Sequence, residues 1–127
     1  MPRTCSVWSA AKIDARPAKI VARHVLEHAV AITRASRPKD SASGDFVKRY
    51  VAWGAGPRAA QHLVTAAKAS AMLDGRPAPE LRDLERMAVP VLRHRIIPNY
   101  NALGEAIEPE AIIKQVLETS GDAVAAR

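Results

Sequence analysis

The residues with the clearest chemical potential lie in the stretch WGAGPRAAQ, where an arginine follows two glycines and a proline. Proline has a fixed φ and no N–H to satisfy, so we expect Pro57 at the first position of a helix and Gly56 as its N-cap. Arg58 then lies in the first turn, where the helix dipole disfavours a cation by about 0.3–1 kcal/mol. No carboxylate in the following turn offsets this.

Two interpretations of Arg58 stay open from these residues alone. In the first, the side chain points into water or pairs with an acidic residue elsewhere in the fold. In the second, the backbone N–H groups, the helix dipole and the guanidinium converge on an external anion, for which phosphate is the natural choice. The glycines would then let the ligand approach the backbone closely.

A second group of cations, Arg93, His94 and Arg95, is the densest basic cluster of the chain. Cations are favourable at the C-terminus of a helix, so the cluster could simply neutralise the preceding helix. It could instead contact a phosphate or the surface of another protein. Both interpretations fit the sequence.

The remaining titratable residues do not predict a metal or catalytic site. His24 and His28 have the i, i+4 spacing that suits zinc, but no third ligand has a suitable spacing, so we expect ordinary surface or packing histidines. The carboxylates are scattered, and no Ser-His-Asp or Cys-His arrangement is evident. The single cysteine, Cys5, excludes an intramolecular disulfide and fits a reducing cytoplasm.

These residues require helices to position them, and the apolar spacing predicts about five. Loop chemistry in SRPKDSASGD follows the first helix, and FVKRYVAW, which includes Trp53, is expected to anchor the core. The sequence RII predicts one short strand, paired in a small hairpin with residues near Ile107. The predicted helices, with their apolar positions, are about Ile20–Arg34 (Ile20, Val21, Val25, Leu26, Ala29, Val30, Ile32), a short turn at FVKRYVAW, Pro57–Asp74 (Leu63, Ala67, Ala71 and Met72 or Leu73), about Glu80–Val89 and PEAIIKQVLE (Ile112, Ile113, Val116, Leu117).

Composition supports one small all-α domain. The chain has 127 residues, 48% hydrophobic but only 4% aromatic, so Ala, Val, Leu and Ile must form the core, which suits closely packed helices. No stretch offers the ~18 uncharged apolar residues that a membrane span needs. A net charge of +6 makes nucleic acid, phosphate or an acidic protein plausible partners.

Two long segments carry a family resemblance. FVKRYVAWGAGPRAAQHLVTAAKASAMLDGR and the later PVLRHRIIPNYNA resemble the C-terminal helical lid of MoxR-type AAA+ ATPases, and VLEHAVAITRASRP and EAIIKQVLE match the same pattern. The resemblance implies a lid at residues 18–120, an N-terminal tail or truncated connection at 1–17 and a C-terminal tail at 121–127.

The resemblance also implies roles for the residues above. The arginine at the start of this lid helix is the sensor-2 residue of AAA+ proteins, so Arg58, with Gly56 and Pro57, would reach the γ-phosphate of ATP held with Mg²⁺ by a separate P-loop core. Arg93 and Arg95 would contact phosphate or a neighbouring subunit of a ring. The family remodels or matures client protein complexes in the cytoplasm.

The sequence lacks the motifs of the P-loop core domain. It has neither GxxxxGK[ST] nor an acidic Walker-B strand, and the residues before 18 leave no room for an α/β core. We therefore expect a detached or truncated lid that does not hydrolyse ATP alone. Helix Glu80–Val89 also lacks the Ser or Thr cap that we expected.

Two alternatives remain. A basic helical nucleic-acid-binding domain would use the helix pair around LDGRPAP like a helix-turn-helix. Residues 59–74 disfavour this, because they are mainly alanine and offer few of the long polar side chains that a recognition helix needs. The chain also fits a gene fragment that folds without a function.

Overall fold

The computed structural model describes residues 21–125. Four longer helices form the core, and two short helices and a small two-stranded sheet complete the fold. The predicted N-terminal tail at 1–17 and Cys5 lie outside the described residues. In chain order the elements are α1 (Arg23–Ala35), α2 (Asp45–Tyr50), β1 (Val51–Trp53), α3 (Pro57–Leu73), α4 (Leu81–Leu92), β2 (Ile97–Pro98), α5 (Tyr100–Gly104) and α6 (Pro109–Ala125).

The core lies where α3 packs against α1 and α4, and α6 packs against α1 and also contacts α2 and α4. The predicted inward stripe of α3 is confirmed for Leu63, Ala67 and Ala71, which are fully or almost fully buried, but its last position is wrong, because Leu73 is 52% exposed and Met72 is only partly buried. Small alanines on this stripe let the neighbouring helices approach closely. The apolar positions of α6 are also confirmed, with Ile112, Ile113 and Val116 buried and Leu117 packed at the edge.

The stripe predicted for α1 is only partly right. Val25, Ala29 and Ile32 are buried, but Leu26 is 43% exposed and Val30 is 50% exposed. Apolar residues cover too much of this helix for all of them to face a single core.

The prediction that Trp53 anchors the core is wrong, because its side chain is 71% exposed. A helical spacing through FVKRYVAW would place Trp53 on the side of Tyr50, but α2 ends at Tyr50 and the chain continues as strand β1. The pairing of β1 is irregular between Val51 and Trp53. Such a bulge re-aims side chains, so Val51 stays buried while Trp53 faces outward.

One short strand does form in the predicted region, but its partner is different. β2 pairs antiparallel with β1, with Val51 opposite Pro98 and Trp53 opposite Ile97. The segment near Ile107 is not the partner, because helix α5 occupies residues 100–104 and the Ile107 N–H donates to the Ala102 carbonyl of that helix. The all-α fold class with one minor two-stranded element is confirmed.

Helix α4 begins with a cap that the sequence prediction missed. Glu80 is the N-cap, and Glu80 and Asp83 form a reciprocal capping box, with the backbone N–H of Glu80 donating to Asp83 Oδ2 at 2.8 Å. The helix also continues through Pro90 to Leu92, beyond the predicted end at Val89. The buried side chain of Leu92 fixes this last turn in the core.

Helix α6 extends to Ala125, so residues 121–125 are helical. The division into a lid at 18–120 and a tail at 121–127 stays a prediction. Within the described residues 21–125, no helix is long and apolar enough to cross a membrane.

Candidate functional site

Helix α3 begins as the sequence predicts, with Gly56 as the N-cap and Pro57 at the first position. Gly56 has extended backbone angles (φ −83°, ψ 178°), and no side chain caps the helix. The first turn contains no acidic residue. Pro57 has no N–H and the Ala59 N–H donates to the Gly56 carbonyl at 2.9 Å, so the Arg58 N–H lies at the positive end of the helix dipole with no partner among the backbone hydrogen bonds of residues 21–125.

Arg58 is exposed beside this helix start. Within residues 21–125, its side chain is in none of the ion pairs and none of the side-chain hydrogen bonds. A Cβ added at Gly56 would meet no atom within 4 Å. The fold does not require glycine here for packing, and the space in front of the helix is open.

The loop ahead of α3 is held by the end of α1. The Ala55 N–H donates to Ser36 Oγ at 3.0 Å, and Arg37 Nε donates to the Ala55 carbonyl at 2.9 Å. Ser36 Oγ donates in turn to the Thr33 carbonyl at 2.7 Å. We call this set of contacts the Ala55 clamp. The Ala55 clamp holds both the backbone N–H and the carbonyl of the buried Ala55, so it sets the direction in which α3 starts.

Gly54 is required by the same clamp for a different reason. A Cβ at this position would lie 2.3 Å from the Ser36 carbonyl oxygen and 2.6 Å from Arg37 Cα, both of them backbone atoms. Only glycine lets the two segments approach this closely. Ser36 and Arg37 were assigned to a loop from the sequence, which gave no signal that they position α3.

A cleft of about 340 Å³ lies next to the start of α3. Arg37, Pro38 and Lys39 form one wall, and residues 52–57 form the other. The exposed Trp53 belongs to this second wall. The cleft therefore combines two cationic residues, an aromatic side chain and the residues that precede Arg58.

The basic cluster after α4 divides between two sides of the protein. Arg93 forms an ion pair with Glu110 on α6. Arg95 points to α3 instead, with its Nη2 at 2.9 Å from His62 Nδ1 and its Nε donating to the Val91 carbonyl at 3.1 Å. Arg95 thus satisfies a helix C-terminus, as one interpretation predicts, and it also reaches the helix that carries Arg58.

The four histidines do not gather at a metal site. Among the described residues, no group of three or more His, Cys, Asp or Glu is placed to hold a metal ion. His28 is a packing histidine, 3% exposed, and both of its ring nitrogens are buried without a hydrogen-bond partner. Desolvation lowers the pKa of His28, which the nearby Glu85 carboxylate opposes.

Comparison with known proteins identifies the domain. Residues 44–116 match the family model described as AAA lid domain. Chaperone MoxR1 of Mycobacterium tuberculosis is 35% identical over 95 residues, 75% of this chain and 25% of that protein. Protein MoxR of Paracoccus denitrificans is 35% identical over 92 residues, 71% of this chain and 27% of that protein. The chain thus spans about a quarter of the length of these relatives.

A solved structure shows the same fold. A Cytophaga hutchinsonii protein described as a candidate ATPase superposes with a TM-score of 0.75 at 28% sequence identity, covering 86% of this chain and 32% of that protein. The match with the family model includes Gly56, Pro57, Arg58 and Arg95. The chain therefore belongs to the AAA lid domain family, in the form found in MoxR proteins.

Proposed function

We propose that this domain is the lid of a MoxR-type AAA+ ATPase, in which Arg58 detects the terminal phosphate of ATP held by a P-loop core domain. The observation that carries the proposal is the exposed Arg58 at an open helix start, with no acidic partner among the described residues. A cation placed against the helix dipole is locally unfavourable. A phosphate would turn this local penalty into a contribution to binding.

The residues present fit a phosphate group. Gly56 leaves the approach to the backbone open, and Pro57 fixes the first position of the helix that carries Arg58. The guanidinium of Arg58 stays charged at every physiological pH and offers a planar set of donors that matches phosphate oxygens. When bound, ATP would supply a terminal phosphate whose presence or absence reports the nucleotide state.

Arg58 would couple this state to the position of the lid. While the terminal phosphate is present, the guanidinium donates hydrogen bonds to it and holds the start of α3 near the core. After hydrolysis and phosphate release these hydrogen bonds are lost. Because the Ala55 clamp joins the start of α3 to α1, both helices would move together.

The partners follow from this proposal. The lid would work with a P-loop core that holds ATP and Mg²⁺, within a ring of such subunits in the cytoplasm, and it would contribute to the remodelling of client protein complexes. The relative called a chaperone supports this role. Arg58 would assist hydrolysis through its contact with the terminal phosphate, while the Walker motifs, which this sequence does not contain, would come from the P-loop core.

The test combines this chain with the P-loop core of a MoxR protein that has lost its own lid. We expect ATPase activity to rise when the chain is added and the Arg58→Ala variant to abolish the gain, because comparable arginines contribute roughly 10³–10⁵ in rate. Arg93→Ala is the matched control, since it removes the same charge from a residue already paired with Glu110.

The alternative of a nucleic-acid-binding domain predicts a different result. In that case the chain would leave the core inactive at every concentration, and it would bind DNA with a steep dependence on salt. This pair of results would refute the lid function.

A further inference from the structure

Arg95, from the segment after α4, contacts the face of α3 that carries Arg58. His62 follows Arg58 by one helical turn, so the two side chains share a face of α3. Side chains on a helix lean toward its N-terminus, which brings His62 toward Arg58. Nη2 of Arg95, which lies 33 positions further along the chain, is 2.9 Å from His62 Nδ1. We call Arg58, His62 and Arg95 the Arg58 face.

The contact between His62 and Arg95 fixes which atom carries the proton. A guanidinium can only donate, so Arg95 Nη2 donates to His62 Nδ1, and the neutral ring carries its proton on Nε2. The Nε of Arg95 donates to the Val91 carbonyl. The guanidinium of Arg95 is therefore held from two sides, while some of its N–H donors remain free.

The charge of Arg95 is not neutralised, unlike that of Arg93. Arg93 pairs with Glu110, whereas neither Arg95 nor Arg58 has a carboxylate within ion-pair distance in the described part of the chain. Two guanidinium groups on one face, both without a counter-ion, attract an anion that carries more than one charged group.

We propose that Arg95, positioned by His62, is a second anion-binding residue that acts with Arg58 on one ligand, a chain of two or more linked phosphates. This rests on the proposed function, in which Arg58 binds phosphate. It extends that function by adding a second arginine and a positioning histidine, and by excluding Arg93. A single phosphate would engage Arg58, whereas a longer chain would also reach Arg95.

The first experiment measures phosphate binding by the chain with NMR titration at low salt, using inorganic phosphate, tripolyphosphate and ATP as probes. We expect Arg95→Ala to weaken tripolyphosphate binding by at least roughly tenfold, because it removes a charge-assisted hydrogen bond to the phosphate chain. Inorganic phosphate should be affected by Arg58→Ala and much less by Arg95→Ala. ATP that binds no more tightly than tripolyphosphate indicates recognition of the phosphate chain alone.

Arg93→Ala is the matched control, because it removes the same charge two positions away. It should change tripolyphosphate affinity by less than roughly twofold, as expected for an exposed, paired charge. Arg95→Lys keeps the charge without the planar fork, so it should recover only part of the affinity. Retained amide spectra show that each variant is folded.

The second experiment tests the role of His62 with a double-mutant cycle. His62→Ala should weaken tripolyphosphate binding in the natural chain but have no further effect in the Arg95→Ala background. His62→Gln should recover part of the loss, since its amide oxygen can accept from Arg95. Arg95→Ala should alter the ring ¹⁵N shift of His62 Nδ1, because it removes the donor to that atom.

The outcomes separate this proposal from the function on which it rests. If Arg58→Ala weakens phosphate binding and Arg95→Ala does not, the second arginine is refuted and the role of Arg58 stands. Equal losses for Arg93→Ala and Arg95→Ala would indicate a net-charge effect and would also refute it. If neither Arg58→Ala nor Arg95→Ala changes binding, both proposals fail.

Discussion

Gly54 and Gly56 lie two positions apart, and the structure predicts a large loss of stability from alanine at Gly54 and a small change from alanine at Gly56. In Gly54→Ala the new Cβ would lie 2.3 Å from the Ser36 carbonyl oxygen, so the two backbone segments must separate. Forcing an extra carbon into a packed site costs about 1–3 kcal/mol. Separation also weakens the Ala55 clamp, whose hydrogen bonds contribute about 0.5–1.5 kcal/mol each. We expect a total loss of roughly 2–4 kcal/mol in the free energy of unfolding.

Gly56→Ala is the matched substitution. Its Cβ meets no atom within 4 Å, and the backbone angles of Gly56 suit an alanine. A weaker N-cap and a less flexible unfolded chain have opposite effects, so we expect the free energy of unfolding to change by less than about 1 kcal/mol. The added methyl group would stand where the phosphate is proposed to approach, so phosphate binding should weaken in this variant.

Urea denaturation at constant pH and salt measures both variants, with the m-value checking that each still unfolds in a two-state transition. Equal destabilisation of Gly54→Ala and Gly56→Ala would refute the distinction between a packing glycine and an open one. A stable Gly54→Ala protein would show that the loop ahead of α3 does not need its close contact with α1.

Further predictions concern stability and pH. Asp83 is 1% exposed and its pKa is lowered to about 2, first by the hydrogen bonds from Arg76, so the unfolded chain binds the proton more readily. At 1.36 kcal/mol per pKa unit, Asp83 contributes about 2 kcal/mol above pH 4, lost as the pH falls toward 2. Urea titrations of Asp83→Asn should lack this part of the pH dependence, while Asp74→Asn, at a partly exposed carboxylate, should retain it; identical profiles would contradict the assignment. The lowered pKa of His28 means that the unfolded chain takes up the proton first as the pH falls through 6.5, so stability should decrease below that pH, and less so in His28→Leu. A persistent decrease in this variant would assign the effect to another histidine. Trp53→Ala should cost less than about 1 kcal/mol because Trp53 is exposed, whereas Leu63→Ala should cost about 2–5 kcal/mol; comparable losses in thermal unfolding would contradict the exposed position of Trp53.

The start of α3 could be predicted because its determinants are local. Proline fixes φ at the first helical position, and the preceding glycine accepts the extended backbone of an N-cap, so Gly56, Pro57 and Arg58 lie where the sequence places them. The alanine and leucine stripe of α3 could be predicted because Leu63, Ala67 and Ala71 recur at helical spacing on one face.

The features that the sequence did not reveal depend on contacts between distant residues. Nothing local indicates that Ser36 binds the Ala55 N–H or that β2 pairs with β1. The prediction for Trp53 failed because the helical period ends at Tyr50, where the chain changes from a helix to an irregular strand.

Two missed features did have a local signal. Asn99 caps the short helix α5 by accepting from the Ala102 N–H, and its position before YNA is typical of an N-cap. Glu80 and Asp83 have the spacing of a capping box, with acidic residues in place of Ser and Glu. Asn99 was missed because helix α5 itself was not predicted, and Glu80 was missed because only Ser or Thr was considered as the cap of α4.

The Ala55 clamp also makes one amide a reporter of ligand binding. The Ala55 N–H is bonded to Ser36 and precedes the helix that presents Arg58, so its hydrogen exchange requires the clamp to open. A ligand that binds Arg58 only when α3 is held in place must stabilise the closed clamp by RT ln(1 + [L]/Kd). Protection of this single amide therefore gives the ligand affinity without a change in structure, and its absence identifies a ligand bound elsewhere.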